Sequence, residues 1–241
     1  MIGETFQSKT GDFVVLERRD NDKILIRFVA DGYEKEVFRQ VVYKGNVKNP
    51  YYPNVYGIGF FGEGPHKARE NGCEVRTYKL WNHVIERCYS PRVHFKRQHY
   101  SECSVDKQWH NYQEFAEWCQ WQTGFSAEWT LDKDLIVPKN KIYSPDKCIF
   151  LPNEINTSLN FKRSGRYCGV SFHKASNKFV AQIRCGEDSL HLGLFNCEEQ
   201  AYLAYKAAKE SQIKSLASKY KNELSEIAFE ALMLWEVKDR V

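Results

Sequence analysis

The sequence predicts a multidomain α+β protein. Three observations predict it: short β-branched and aromatic runs crowd the first sixty or so positions, helical spacing takes over near residue 74, and three further strand-like runs followed by a helical stretch fill the last third. The expected units are a small β-barrel over 1–66, a central domain over 67–160, a strand-rich domain over 161–210 and a helical extension over 211–241. With 241 residues, 42% hydrophobic and 27% charged, the chain is neither collagen-like, nor a coiled coil, nor wholly disordered.

The barrel rests on Phe13-Val14-Val15-Leu16, on Ile24 to Val29 and on Val37 to Tyr43, parted by the turn formers Asp20-Asn21-Asp22 and Asp31-Gly32. Asn49-Pro50 and Pro53 end it, and the glycine-rich stretch Gly57 to Gly64 reads as a linker. From residue 74 to 90, Tyr78, Trp81, Ile85 and Cys88 or Tyr89 recur at three or four positions, which puts one apolar stripe on a helix. Trp109, Tyr112, Phe115, Ala116 and Cys119 do the same, with Gly124 as a helix stop. Extended runs follow at Trp129 to Val137 and Cys148 to Leu151, then a short helix from Asn153 to Asn160, so the central domain reads helix, helix, hairpin, helix. Three short strands are expected at Gly169–Phe172, Phe179–Arg184 and His191–Phe195. A helix begins after Asn196 or Cys197, with acidic Glu198-Glu199 in its first turn, and an amphipathic helical region continues over 211–235.

Charge is uneven. The chain carries 35 Lys and Arg against 31 Asp and Glu, a net charge of +4, and residues 161–210 hold eight basic against five acidic groups. Two stretches lack acids: Arg87 to Ser101, with Arg87, Arg92, Lys96, Arg97, His94 and His99, and Phe161 to Gly186, with Lys162, Arg163, Arg166, Lys174, Lys178 and Arg184. Basic runs of this kind suit a polyanion, because each cation near a phosphate releases condensed counterions; the plainer reading is a solvated basic loop. No signal-like or bilayer-length apolar stretch occurs, so the expectation is a cytoplasmic protein with reduced thiols among its eight cysteines and no membrane partner. Structural zinc has little support, since no Cys-x-x-Cys pair occurs and Cys88 and Cys119 fall on apolar helix faces.

Tyr167-Cys168-Gly169-Val170-Ser171-Phe172-His173, Lys178-Phe179-Val180-Ala181-Gln182-Ile183, His191-Leu192-Gly193-Leu194-Phe195 and Glu198 to Ala208 together resemble the Apetala-type DNA-binding domain of plant ethylene-response factors, in the version appended to bacteriophage endonucleases. The resemblance implies a three-stranded antiparallel sheet over one helix, with the sheet entering the major groove of double-stranded DNA. Strand alternation agrees: Ser171, His173, Lys178, Gln182 and Arg184 share one polar face. Val170 and Phe172, with Val180 or Ala181 and Ile183, form the face packed on Ala201, Ala204, Tyr205 and Ala208, and Gly193 allows strand and helix to approach. Arg184 is the first candidate for a guanine contact.

Leu131-Asp132-Lys133-Asp134, Tyr143 to Phe150 and Asn156, with Trp81, Arg87-Cys88 and Val105 to Trp109, resemble the HNH-type homing endonucleases of bacteriophages; Lys48-Asn49-Pro50 and Val55-Tyr56-Gly57 are similar to the leading part of such proteins. The resemblance implies a ββα nuclease unit, a bacterial host cytoplasm, and hydrolysis of DNA phosphodiesters with Mg²⁺ or Mn²⁺. It places Asp132 as metal ligand with Asn156 on the helix, and Asp134 as a further candidate ligand. Lys133 falls where the family has its general-base His, and Lys147 where it often has Asn. A lysine is cationic at neutral pH, so Lys133 is assigned to the scissile or an adjacent phosphate, and His83, His99 and His110 remain unranked candidates for a base. Two plainer readings stand beside these: a charged hairpin edge at Asp132 and Asp134, and helix flanking at Asn156 and Asn160. The resulting expectation is a metal-dependent DNA endonuclease, monomeric or homodimeric, and the rival is a DNA-binding protein without cleavage.

Overall fold

Period-two alternation organises the N-terminal sheet. Antiparallel strands β1 (Thr5–Phe6), β2 (Phe13–Arg18), β3 (Lys23–Phe28) and β4 (Glu34–Phe38) pair in sequence order, and Phe13, Val15, Ile24, Ile26 and Phe28 are buried on one face. The β2–β3 turn carries Asn21 and Asp22 at φ 58° and 59°, the pair of positive angles that a tight hairpin demands. The computed structural model describes residues 2–160, 167–186 and 188–237.

The expected barrel does not close. The sheet is open, with β1 and β4 at its two edges. The strand expected from Val37 to Tyr43 stops at Phe38, and Arg39–Tyr43 turns into helix α1, whose Val42 joins Val47 in covering the sheet's apolar face. One short helix therefore does what closure would have done, and the outer face is left to exposed ion pairs such as Lys23–Glu36 at 3.5 Å and Arg27–Glu34 at 2.5 Å. The expected linker is packed as well: the Phe60 amide donates to the His110 carbonyl at 2.9 Å and the Tyr112 amide to the Phe60 carbonyl at 3.0 Å.

A small hairpin, β5 (Arg69–Glu70) and β6 (Cys73–Glu74), leads into α2 (Arg76–Tyr89), which buries Trp81, Val84, Ile85 and Cys88. Trp81 Nε1 donates to the Trp109 carbonyl at 2.8 Å. Helix α3 (Pro91–Lys96), strand β7 (Ser104–Val105) and α4 (Tyr112–Gln120) follow, the last burying Tyr112, Phe115, Ala116 and Cys119. Packing divides the chain into two units, 1–119 and 120–241.

In the second unit, β8 (Thr130–Asp132) precedes the two-residue strand β9 (Ile142–Tyr143) and pairs antiparallel with β10 (Ile149–Leu151), opposing Asp132 to Ile149; α5 (Asn153–Leu159) follows at once. Then β11 (Val170–His173), β12 (Lys178–Cys185) and β13 (Asp188–Phe195) form a three-stranded antiparallel sheet in sequence order. Helix α6 (Glu198–Lys219) covers one face of it: Val170, Ala181 and Ile183 are buried against Ala201, Tyr202 and Tyr205. A break after Lys219 leads to α7 (Glu226–Met233), capped by Ser225 Oγ accepting from the Ala228 amide at 3.3 Å. The tail returns over the same core through Trp235 and Val237, and the Val237 amide donates to Glu210 Oε1 at 3.1 Å.

Two glycines in this unit have separate causes. Gly169 sits at φ +67° with the Tyr205 ring 2.0 Å from where a Cβ would lie, so the first strand meets the helix only because that atom is missing. Gly193, expected to admit the helix, instead sits at φ +142° beside an irregularity where Ala181 pairs with Gly193 and Gln182 with His191, and its near neighbour is the Phe195 ring at 3.3 Å. Gly169→Ala is therefore expected to destabilise the unit by roughly 2–4 kcal/mol, combining the strain of a positive φ with overpacking against Tyr205. Denaturant unfolding checks this, and a variant as stable as the parent would contradict the packing described.

Candidate functional site

Cross-strand register decides which side chains share the open face of the C-terminal sheet. Ser171 opposes Val180 and Val180 opposes Leu194; His173 opposes Lys178; Gln182 opposes His191; Arg184 opposes Ser189. All lie opposite the face that Ala181 and Ile183 bury on α6. The five residues expected on one polar face, Ser171, His173, Lys178, Gln182 and Arg184, are thus brought together, with Val180, Leu194, His191 and Ser189 between them. Of the two strand phases open in the sequence, Ala181 faces the helix and Val180 the open side. Phe172 has the register of the helix side but lies at its margin, 51% exposed, against Phe179. Lys162, Arg163 and Arg166 lie outside the described residues.

The face is electropositive and backed by a rigid element. Arg184 is exposed, and neither it nor Lys178 is in an ion pair among the described residues. Gln212 Nε2 on α6 donates to the Arg184 carbonyl at 2.8 Å, tying the strand end to the helix while leaving the guanidinium outside. His173 Nδ1 lies 2.8 Å from Ser176 Oγ, which steadies the ring at the β11–β12 turn. Two cations, two imidazoles and an amide around a small apolar centre can meet phosphates, base edges and thymine methyl groups on a sheet narrow enough for the major groove.

The β8 end is built differently. Asp132 Oδ1 accepts from the amides of Asp134 at 2.9 Å and Leu135 at 2.8 Å, so the carboxylate caps the turn that leaves the strand. Lys133 is nearly covered, at 11% side-chain exposure, and its Nζ donates to Asp134 Oδ1 at 2.6 Å and to the Asn140 carbonyl at 2.8 Å. Buried Asn140 closes the loop by donating from Nδ2 to the carbonyls of Lys133 and Ile142. Sequence reasoning missed Asn140, although an asparagine in a turn is the residue type that makes such backbone substitutes. Asn156 is half-buried on α5, and its carbonyl accepts from Asn160 Nδ2 at 2.8 Å. Glu154 on the same helix accepts from Lys219 Nζ at 2.5 Å and Tyr220 Oη at 3.0 Å, which joins α5 to the end of α6.

Burial pushes the Asp132 carboxyl above its usual range, while the Leu135 and Asp134 amides pull the other way. Burial also raises the neighbouring Cys148 thiol to about 12, so it is no nucleophile at neutral pH. As a metal ligand set the arrangement is sparse. Asp132 Oδ2 receives no hydrogen bond from the described residues and Asn156 offers an amide, whereas Asp134 is matched to Lys133. Among the described residues no group of three or more His, Cys, Asp and Glu is placed to hold a metal. A donor set of one carboxylate oxygen and one amide fits Mg²⁺, which keeps most of its waters, and does not fit zinc. Of the candidate bases, His83 and His99 are exposed and His110 Nε2 lies 3.1 Å from the Val105 carbonyl, all within the first unit.

A carboxyl whose pKa is higher folded than unfolded costs stability once ionised. The cost is absent below its ordinary value of 3.8, grows as pH rises through the raised value, and is constant above it. Asp132→Asn keeps an oxygen for both amides and removes the charge. It is expected to be more stable than the parent at neutral pH, with an advantage that shrinks as pH falls toward about 4. Denaturant curves across that range check this, and a variant less stable than the parent at neutral pH would contradict it. In comparisons with known proteins, no family model, curated protein or solved structure matches this chain.

Proposed function

We propose that this chain binds double-stranded DNA through the open face of its C-terminal sheet and hydrolyses DNA phosphodiesters at the β8–β10–α5 unit with a divalent metal. The family readings of an Apetala-type domain and an HNH-like nuclease unit belong to this proposal. The observation that carries it is the cross-strand register, which gathers Ser171, His173, Lys178, Gln182 and Arg184 on one face and leaves the opposite face to α6. In this reading Arg184 addresses a guanine with its two-pronged donor edge, Gln182 a neighbouring base, and Lys178 the phosphates.

At the hairpin, Asp132 through its Oδ2, with Asn156, would hold Mg²⁺ or Mn²⁺, while Asp132 Oδ1 stays on the turn amides, which fixes the carboxylate's orientation. The metal supplies an acidified water and Lewis-acid stabilisation of phosphate charge. Lys133 is held by Asp134 and the Asn140 carbonyl, so its ammonium keeps its place as phosphate approaches.

That same arrangement favours a second reading: with the Lys133 charge matched by Asp134, the unit serves as a structural hairpin and the protein binds DNA without cutting it. Plasmid nicking with Mg²⁺ and Mn²⁺, at protein concentrations that saturate binding, separates the two. The nuclease reading expects Asp132→Asn to abolish nicking while duplex affinity stays within about twofold, because the change leaves the turn and the reading face intact. Nicking that persists in Asp132→Asn would remove the hairpin from catalysis, and no nicking by the parent with either metal would favour the second reading. Arg184→Ala is expected to cost about 1–3 kcal/mol on a preferred sequence and to flatten the preference. An unchanged preference would contradict the assigned face.

A further inference from the structure

The acid-free run in the first unit is a built surface rather than a loose loop. Helix α3 starts at Pro91 after buried Ser90, and His94 turns inward, its Nε2 3.0 Å from the Arg87 carbonyl oxygen on α2. The Arg97 amide donates to the Val93 carbonyl at 2.8 Å and the Tyr100 amide to the Arg97 carbonyl at 3.0 Å, while the Arg87 guanidinium lies over the Tyr100 ring at 5.8 Å. On this scaffold Arg92, Phe95 and Lys96 fall at i, i+3 and i+4, on one face of the helix. Phe95 is 88% exposed. Arg92, Lys96, Arg97 and His99 are exposed around it, and the three strong cations are in no ion pair among the described residues.

A bare aromatic ring on a hydrogen-bonded turn, with three cations around it in no ion pair among the described residues, offers a partner an apolar wedge and phosphate-binding charge together. We propose that α3 is a second, sequence-indifferent contact to duplex DNA, in which Arg92, Lys96 and Arg97 meet backbone phosphates and Phe95 wedges between base pairs and bends the helix. The inference rests on the DNA-binding reading above and adds to it a surface in the other unit. Charge complementarity selects the partner: phosphates answer the cations, and an opened base step is the apolar slot a duplex can offer a phenyl ring.

The test uses the full chain and a duplex carrying its preferred sequence, with a random duplex beside it, and reads affinity against salt and bending by energy transfer between the duplex ends. The variant with Arg92, Lys96 and Arg97 all changed to Gln is expected to lower the salt slope by about 2 to 3, at 0.9 per lost phosphate contact, equally on both duplexes. Phe95→Ala is expected to keep the slope and lose the bend. Because these side chains are exposed, thermal unfolding of both variants should match the parent. An unchanged slope in the triple variant, or an unchanged bend in Phe95→Ala, overturns the inference. If Arg184→Ala still alters preference in that case, the sheet reading survives alone. If the parent binds neither duplex at low salt, the DNA-binding reading itself fails. A change in sedimentation mass for Phe95→Ala without effect on DNA also overturns it, and makes α3 an interface between copies of the chain.

Discussion

The close approach of β11 to α6 is the constraint on which the C-terminal unit depends. With no Cβ at Gly169, the Tyr205 ring packs against the strand's first turn, and burial pushes that phenol's pKa up to about 12. Once this contact is made, Val170, Ala181 and Ile183 must face the helix, and strand alternation turns Ser171, Gln182 and Arg184 outward. A one-residue slip would reverse every side chain and put Arg184 into an apolar core, at a cost far above that of any surface contact. The composition of the open face is therefore set from behind, by packing. Trp235 and Val237 reinforce it by closing the same core with the returning tail.

The hairpin works under an electrostatic constraint instead. Asp132 is held where burial opposes its charge, and two backbone amides partly offset the cost. Lys133 compensates Asp134 and satisfies the Asn140 carbonyl, so three consecutive charged residues form a closed set of contacts with the loop that follows. Such a site holds one carboxylate oxygen in a fixed direction without any histidine, which is compatible with a weakly ligated, water-rich metal and equally with a purely structural turn. Glu154, joined to Lys219 and Tyr220, fixes the helix that carries Asn156 to the end of α6. The hairpin unit and the C-terminal sheet thereby share one structural support.

Much of this was legible because strong periodicities survive in the sequence. The stripe through Trp81, Ile85 and Cys88 and the three short C-terminal strands appear where their spacing places them. Closure was not legible: alternation in Phe13–Arg18 and Lys23–Phe28 gives two faces, and whether the last strand returns to the first depends on where it ends. It ends at Phe38, where Arg39 to Tyr43 bury Val42 as a helix, a choice made by tertiary packing over the β preference of two valines. Helix α3 was missed although Ser90-Pro91 is a start signal, because a six-residue helix offers too few positions for an apolar period. The phase between Val180 and Ala181 stayed open in the sequence, and the irregular pairing around Leu192 shows why: two residues of β13 occupy the space of one.

The central claim is that duplex DNA meets the open face of the sheet and not the helix behind it. Photo-crosslinking decides this most directly, with a benzoyl-phenylalanine placed at Val180, at the centre of the open face, or at Leu203, 57% exposed on α6. The account predicts a crosslink to duplex DNA from position 180 that salt suppresses, and none from position 203. A crosslink from position 203 with none from position 180 would contradict it.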